Sequence, residues 1–171
     1  MQRLDRNSLE EILASQKSFA WEGKAFRVML NDYPPDRENT FGARWNPPDL
    51  AAIYCCLDPA VCMAEVEYGL ARQPRPVKAD LRRTIYRIDL AVGAVMDLSA
   101  IRPKLEAIGI GASELFADDM KVSQEIGRLA TWLGCDGLIV PSARKTGHNM
   151  VVYPGRTGDS YRFDVIDQTL L

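Results

Sequence analysis

The chain is poor in the side chains that perform most acid–base and metal chemistry. Its 171 residues include one histidine, His148, which follows a glycine in a predicted turn. A Ser-His-Asp or Cys-His mechanism would have to use this imidazole, and we expect it to be a solvent-exposed loop residue. The four cysteines lack the Cys-x-x-Cys pairs and partner histidines of a zinc site. The sequence therefore predicts buried, reduced thiols and no metal.

Glycine-rich phosphate loops, long apolar runs and basic runs are also missing. Gly109 and Gly111 have neither a third glycine at the required offset nor a following lysine, which excludes Rossmann and P-loop binding of a nucleotide. No apolar run approaches the ~20 residues that cross a bilayer. With a formal net charge of −2, a general nucleic-acid surface has no support. Since the N-terminus leads into a charged helix, we expect a cytoplasmic protein that binds neither membranes nor nucleic acid directly.

The length and the order of predicted elements favour a single α+β domain. Helices and strands do not alternate regularly, which argues against a doubly wound sheet. Residues 84–92 and 94–98 read as two strands with Gly93 as a bend between them. Residues 31–48 contain four prolines and Gly42, which predicts a long irregular loop. Loops of this length within a compact domain are often functional.

A helix predicted over Pro59–Leu70 carries carboxylates among apolar residues. Its apolar side chains are spread around nearly the whole circumference, which predicts a mostly buried helix. The helix also contains Glu65 and Glu67, and carboxylates are rarely buried unless they are paired. At least one must face a cleft, an arginine or solvent. An exposed rim or an internal ion pair explains the pattern equally well, and spacing does not choose between the two glutamates.

Two arginines and a tyrosine are candidates for binding an anionic, aromatic ligand. Arg27 lies on a predicted strand and Arg44 in the long loop, and two guanidinium groups could clamp a pyrophosphate. Surface charge, or a salt bridge to Glu38 or Asp49, is the alternative. Tyr54 lies on a short apolar strand, where it could fill the core or offer its ring to a base or a nicotinamide.

Small polar residues mark the ends of two later strands. One strand ends at Pro141 and exposes Ser142, and a second begins at Asn149. Ser142 lacks a G-x-S-x-G context and a free histidine partner, which argues against a nucleophile. We expect it to donate a hydrogen bond to a ligand.

Taken in order, these segments resemble the RES domain, a family named for an arginine, a glutamate and a serine. The resemblance runs from about residue 24 to the C-terminus and assigns the family's carboxylate to Glu65. It divides the chain into an N-terminal helical segment, 1–23, and a RES domain, 24–171. At 154–156 the chain departs from the many members that carry a histidine after the proline. The matching segments are Phe26-Arg27, Gly42–Pro47, Ile53-Tyr54, Asp58–Val66, and Pro141–Arg144 followed by Asn149.

The resemblance implies a fold and a function. It implies an ADP-ribosyltransferase-like fold with mixed or antiparallel sheets and flanking helices. Members are toxins of two-gene toxin–antitoxin pairs that consume NAD by glycohydrolysis or phosphorolysis, and some transfer ADP-ribose to a protein. The implied partner is a helical, Xre-like antitoxin whose C-terminal segment plugs the active site. NAD would be the substrate, without a metal, and a non-catalytic nucleotide-binding or protein-interaction module is the alternative.

The residues agree with this chemistry. Cleavage of the nicotinamide–ribose bond passes through an oxocarbenium-like state, which one carboxylate can stabilise. We assign that role to Glu65. Because nicotinamide leaves as a neutral heterocycle, no general acid is required. The remaining predicted contacts to NAD are Arg27 and Arg44 on the pyrophosphate, Tyr54 on the nicotinamide, and Ser142 with Asn149 on ribose or phosphate; Arg27 and Tyr54 are also assigned to catalysis.

Overall fold

The computed structural model describes residues 5–71 and 82–171. Its helices are α1 (Arg6–Ala14), α2 (Pro59–Ala71), α3 (Leu98–Ala107), α4 (Ala112–Leu115) and α5 (Lys121–Trp132). Its strands are β1 (Phe19–Leu30), β2 (Ile53–Cys56), β3 (Arg83–Asp97), β4 (Gly137–Pro141), β5 (His148–Val152) and β6 (Arg162–Leu170). Within the described ranges, no helix has the length and hydropathy needed to span a membrane.

The six strands form one mixed sheet in the order β1-β2-β5-β4-β3-β6. β1 pairs with both β2 and β3, so five strands close into a circuit and β6 extends β3 as an edge. β3 and β4 are parallel, and the other pairs between named strands in the described ranges are antiparallel. Together with the helices, this sheet confirms the predicted α+β class.

Two apolar clusters occupy the two faces of the sheet. Side chains on a strand alternate between faces, and in β4 Leu138 and Val140 join the cluster under the helices while Ile139 joins the cluster inside the strand circuit. Helices α1, α3 and α5 supply the apolar side chains that cover the first cluster. The core therefore holds β4 and β5 between two packed layers.

Helix α1 packs onto this core. Leu9 and Leu13 are fully buried in the cluster under the helices. The sequence of residues 7–10 predicts a helix start with Asn7 as the cap, and this prediction is wrong: the helix starts after Asp5, whose carboxylate accepts two backbone N–H groups of the first turn. Strand β1 already begins upstream of residue 24, and the division into 1–23 and 24–171 stays a prediction.

Gly93 lies inside one continuous strand. The predicted division into two strands is wrong, because β3 runs through this position, where its pairing with β1 shifts register between Val92 and Val95. A Cβ at Gly93 would lie 2.5 Å from the hydroxyl oxygen of Ser160. The glycine permits close approach of the chain that precedes β6, which is another common reason for glycine within a strand.

The long loop between β1 and β2 is packed against helix α5. Trp45 is buried, and its carbonyl accepts a hydrogen bond from the hydroxyl of Tyr153 at 2.9 Å. Gln124 of α5 donates to the carbonyl of Ala43 at 3.0 Å. A Cβ at Gly127 of α5 would overlap the Trp45 carbonyl oxygen. The glycine is therefore required for the contact between helix and loop.

We expect Gly127→Ala to lower the free energy of unfolding by about 2 kcal/mol, because the added methyl group must displace the loop backbone. Gly69→Ala is the control, since Gly69 also lies in a helix and, among the described residues, no atom outside the neighbouring helix backbone lies within 4 Å of an added Cβ. That change should be neutral or raise stability by up to about 1 kcal/mol. Urea unfolding measures both, and equal stabilities would contradict the proposed close contact.

Candidate active site

A cavity of about 460 Å³ opens between β1, β2, the long loop, α2 and the ends of β4 and β5. Among the residues that the structure describes, its charged lining consists of three guanidinium groups and one carboxylate. Five of the six sequence-predicted site residues line it, and the sixth, Ser142, contacts it through Glu65. The five are Arg27, Arg44, Tyr54, Glu65 and Asn149.

Helix α2 directs one of its two glutamates into the cavity. The prediction of a mostly buried helix is wrong: Val61 and Cys62 are its buried residues, and the rest is partly or fully exposed. Val61 and Cys62 pack on the strands, and Cys62, Glu65 and Val66 are the described residues of α2 that line the cavity. Glu65 lines the cavity and Glu67 is exposed. The sequence predicts that this helix ends before Gln73–Pro76, and those four residues lie outside the described ones.

Glu65 is held by two neutral donors and one cation. The hydroxyl of Ser142 donates to its Oε1 at 2.9 Å, and the side-chain amide of Asn149 donates to the same oxygen at 3.4 Å. The second oxygen, Oε2, lies 3.9 Å from Nε of Arg144, an ionic contact too long for a hydrogen bond. Hydrogen bonds therefore fix Oε1 of Glu65, while Oε2 makes only a longer ionic contact with Arg144.

Ser142 positions Glu65 in this structure. Its oxygen also accepts the backbone N–H groups of Arg144 at 3.1 Å and Lys145 at 3.4 Å, which orients the hydroxyl. A hydroxyl has one hydrogen, and here it is directed to the carboxylate. The predicted contact between Ser142 and a ligand stays a prediction.

Arg27 reaches the cavity from β1. Its two terminal nitrogens donate to the carbonyls of Pro35 at 2.5 Å and Arg37 at 2.7 Å, both in the long loop. Burial lowers the pKa of this guanidinium, which nonetheless remains charged at neutral pH. Carbonyls orient the group without neutralising it.

Arg44 lies on the opposite, loop side of the cavity. Its Nη1 donates to the carbonyls of Leu115 at 2.8 Å and Ala117 at 2.9 Å. Burial, and then the positive charge of Arg144, lower the pKa of Arg44. The salt-bridge alternative with Asp49 does not apply, because Asp49 pairs with Arg128 at 2.8 and 3.1 Å. Within residues 5–71 and 82–171, neither Arg44 nor Arg27 forms an ion pair with a carboxylate.

Tyr54 connects the cavity wall to the loop. Its hydroxyl accepts the backbone N–H of Trp45 at 2.9 Å and donates to Oδ1 of Asn46 at 2.7 Å. Asn46 is fully buried, and its amide donates to the carbonyls of Leu50 at 2.7 Å and Asn39 at 3.2 Å. Burial raises the pKa of Tyr54, so the hydroxyl stays protonated. The residue therefore supports the loop as well as lining the cavity.

Sequence reasoning did not assign a role to Arg144, which is the third cation of the cavity. Its guanidinium carbon lies 3.3 Å from the ring centre of Tyr68 on α2. The residue stands in the Pro141–Arg144 segment that carried part of the family resemblance, and its proximity to Ser142 was the available signal. His148 lies outside the cavity, with Nε2 at 2.9 Å from the Ser99 hydroxyl. Among the described residues, no group of three His, Cys, Asp or Glu side chains could hold a metal.

Fold and cavity together define a small α+β protein with one acid among three arginines. The sequence model of the RES domain family matches residues 24–170. The chain therefore belongs to the RES domain family, as the motifs predicted.

Known proteins resemble the chain in sequence and in structure. Three curated sequences, from Mycobacterium bovis and two strains of Mycobacterium tuberculosis, are named NAD(+) phosphorylase MbcT. Each is 35% identical over 121 residues, which are 68% of this chain and 64% of the relative. The chain thus spans less than two thirds of their length. A chain of the crystal structure of the M. tuberculosis MbcT–MbcA toxin–antitoxin complex has a TM-score of 0.79 and 25% identity, covering 96% of this chain and 92% of that one.

We expect Tyr54→Phe to lower the free energy of unfolding by about 2 kcal/mol, because the backbone N–H of Trp45 and the side-chain oxygen Oδ1 of Asn46 lose their partner inside the protein. Tyr33→Phe is the control, since Tyr33 is 48% exposed and should change stability by less than about 0.5 kcal/mol. Urea unfolding compares the two variants. An equal, small effect would show that the Tyr54 hydroxyl does not support the loop.

Proposed function

We propose that this protein is a toxin that cleaves the nicotinamide–ribose bond of NAD and is restrained by a protein antitoxin. The observation that carries the proposal is Glu65, an acid held by Ser142 and Asn149 in a cavity whose other charged lining residues, among those described, are arginines. Family membership and the activity named for the mycobacterial relatives support it.

Glu65 would stabilise the positive charge that develops on the ribose. As the bond to nicotinamide lengthens, its electron pair leaves with the neutral base and the sugar carbon becomes oxocarbenium-like. A carboxylate aimed at that charge in a partly desolvated site stabilises the transition state more than the ground state. The hydrogen bonds to Oε1 hold the acid in place before the reaction, which limits reorganisation.

Arg27 and Arg44 would bind the pyrophosphate of NAD. Backbone carbonyls orient both guanidinium groups, and no described carboxylate competes for their charge in an ion pair. Their partial burial strengthens attraction to phosphate oxygens. Tyr54 would place its ring against the nicotinamide, with its hydroxyl engaged in the loop.

We propose inorganic phosphate as the acceptor of the ADP-ribosyl group. A phosphate oxygen forms the new bond to the ribose carbon, nicotinamide takes the electron pair of the broken bond, and the product is ADP-ribose 1″-phosphate. The name of the mycobacterial relatives supports this choice. Water would yield ADP-ribose, and a protein side chain would yield an ADP-ribosylated protein.

The proposed partner is a helical, Xre-like antitoxin that covers the cavity with its C-terminal segment. The structural similarity to a toxin–antitoxin complex supports an antitoxin partner. Phe41 is 85% exposed on the long loop that lines the cavity, and such a residue suits a protein contact. We further propose a cytoplasmic location, no metal requirement and no direct contact with nucleic acid or membrane.

We expect Glu65→Gln to reduce NAD turnover by about 100-fold or more while the protein stays folded, because the amide cannot offset the oxocarbenium charge. Glu67→Gln is the matched control, since it makes the same change two residues away on an exposed position. It should leave turnover within about twofold. Nicotinamide release by the purified, antitoxin-free protein measures both.

The products and host growth separate the alternatives. Labelled NAD should yield ADP-ribose 1″-phosphate in phosphate buffer, whereas free ADP-ribose or a labelled protein would indicate another acceptor. Expression without the antitoxin should arrest growth for the wild type and Glu67→Gln, but not for Glu65→Gln. Saturable NAD binding without product, and growth indifferent to Glu65, would instead support the non-catalytic binding module.

A further inference from the structure

We infer that Arg144 forms a separate subsite for the inorganic phosphate acceptor, beside Glu65 and apart from the pyrophosphate site at Arg27 and Arg44. This inference rests on the proposed function. It assigns inorganic phosphate as the ligand of Arg144. It also makes Arg144 the residue that decides whether phosphate or water accepts the ADP-ribosyl group.

The first argument is the surplus of positive charge. Within residues 5–71 and 82–171, the charged side chains that line the cavity are three arginines and Glu65, so a dinucleotide pyrophosphate on Arg27 and Arg44 leaves Arg144 facing one carboxylate. The charge of Arg144 also lowers the pKa of Arg44, which means that the two guanidinium groups repel each other. A second anion would relieve that repulsion.

The second argument is that Arg144 is held in place without a full set of hydrogen bonds. Its guanidinium stacks on Tyr68 at 3.3 Å from the ring centre, and its backbone N–H is bonded to Ser142. Its Nε is buried and has no hydrogen-bond partner among the described residues, and the contact to Glu65 is 3.9 Å long. An unmet donor on an oriented guanidinium suits a phosphate oxygen.

A neighbouring acceptor completes the subsite. Oδ1 of Asn149 is buried and also lacks a hydrogen-bond partner in the part of the chain that the structure describes, while the amide nitrogen of the same side chain donates to Glu65. Hydrogen phosphate carries a P–OH group as well as anionic oxygens. It could therefore donate to Asn149 while its oxygens accept from Arg144, which a fully ionised or purely apolar ligand could not do.

The third argument is location. Glu65 must lie close to the ribose carbon if it stabilises the oxocarbenium-like state, and Arg144 contacts Glu65 directly. A phosphate on Arg144 would thus approach the carbon that it attacks. Because phosphate and Glu65 are both anionic, a guanidinium between them is needed to offset their repulsion. Without Arg144, water remains as a neutral acceptor.

The test is a comparison of Arg144→Gln and Arg144→Lys with the wild type, at varied concentrations of inorganic phosphate. We expect Arg144→Gln to raise the KM for phosphate about tenfold or more and to shift the product from ADP-ribose 1″-phosphate to ADP-ribose. The KM for NAD should change by less than about threefold, and Arg144→Lys should lie between the two. Lys145→Gln, at the exposed neighbouring position, is the control for lost surface charge.

Each other outcome overturns the inference. A raised KM for NAD with an unchanged KM for phosphate would place Arg144 on the pyrophosphate. A reduced kcat with both KM values and the product ratio unchanged would mean that Arg144 only positions Glu65. If Arg144→Gln does not fold, Arg144→Lys takes its place in the comparison. An unchanged KM for phosphate and an unchanged product ratio in Arg144→Lys would then overturn the inference.

Phosphate binding separates this inference from the proposed function. If the wild type releases no nicotinamide from NAD, the proposed function fails. Titration of the protein with inorganic phosphate, followed calorimetrically, then tests the subsite alone. Binding by the wild type and Lys145→Gln that is lost in Arg144→Gln supports an anion subsite, whereas equal binding by all three, or none, overturns it.

Discussion

The buried side chain of Asn46 holds the long loop between β1 and β2 in one conformation. Its amide group bonds to two loop carbonyls and to the Tyr54 hydroxyl, which also accepts the Trp45 N–H. A buried polar group without a hydrogen-bond partner lowers the stability of the fold. If the loop left this position, several buried polar groups would lose their partners at once. The placement of Arg44, which belongs to the same loop, depends on this network.

The described part of the site combines one carboxylate with three arginines. Neutral donors from Ser142 and Asn149 orient Glu65, while backbone carbonyls orient Arg27 and Arg44. Arrangements of this kind hold charges in position without cancelling them, which a set of close ion pairs would do. The ligand that we propose, an anion that acquires positive charge at one carbon, would therefore meet charged groups that are already oriented.

Much of the fold and site could be predicted, and the errors have physical causes. The α+β class followed from irregular element order, and five predicted residues do line one cavity. The prediction that α2 is mostly buried was wrong because the distribution of apolar residues around a helix does not show which other elements pack against that helix. The bend at Gly93 was wrong because glycine also permits close chain approach, here to Ser160, and local sequence cannot distinguish the two uses.

By itself, the sequence determined which functional groups are present: two glutamates on one apolar helix, and arginines on a strand and in a loop. It also determined a set of motifs that is specific enough to indicate the family. It also left Glu65 and Glu67 equivalent by spacing. The tertiary structure decided which of them faces the cavity, directed the Ser142 hydroxyl to that acid, and brought Arg144 beside it. These relations join residues nearly eighty positions apart, and they arise from the pairing of β4 and β5 next to β2, which no local pattern encodes.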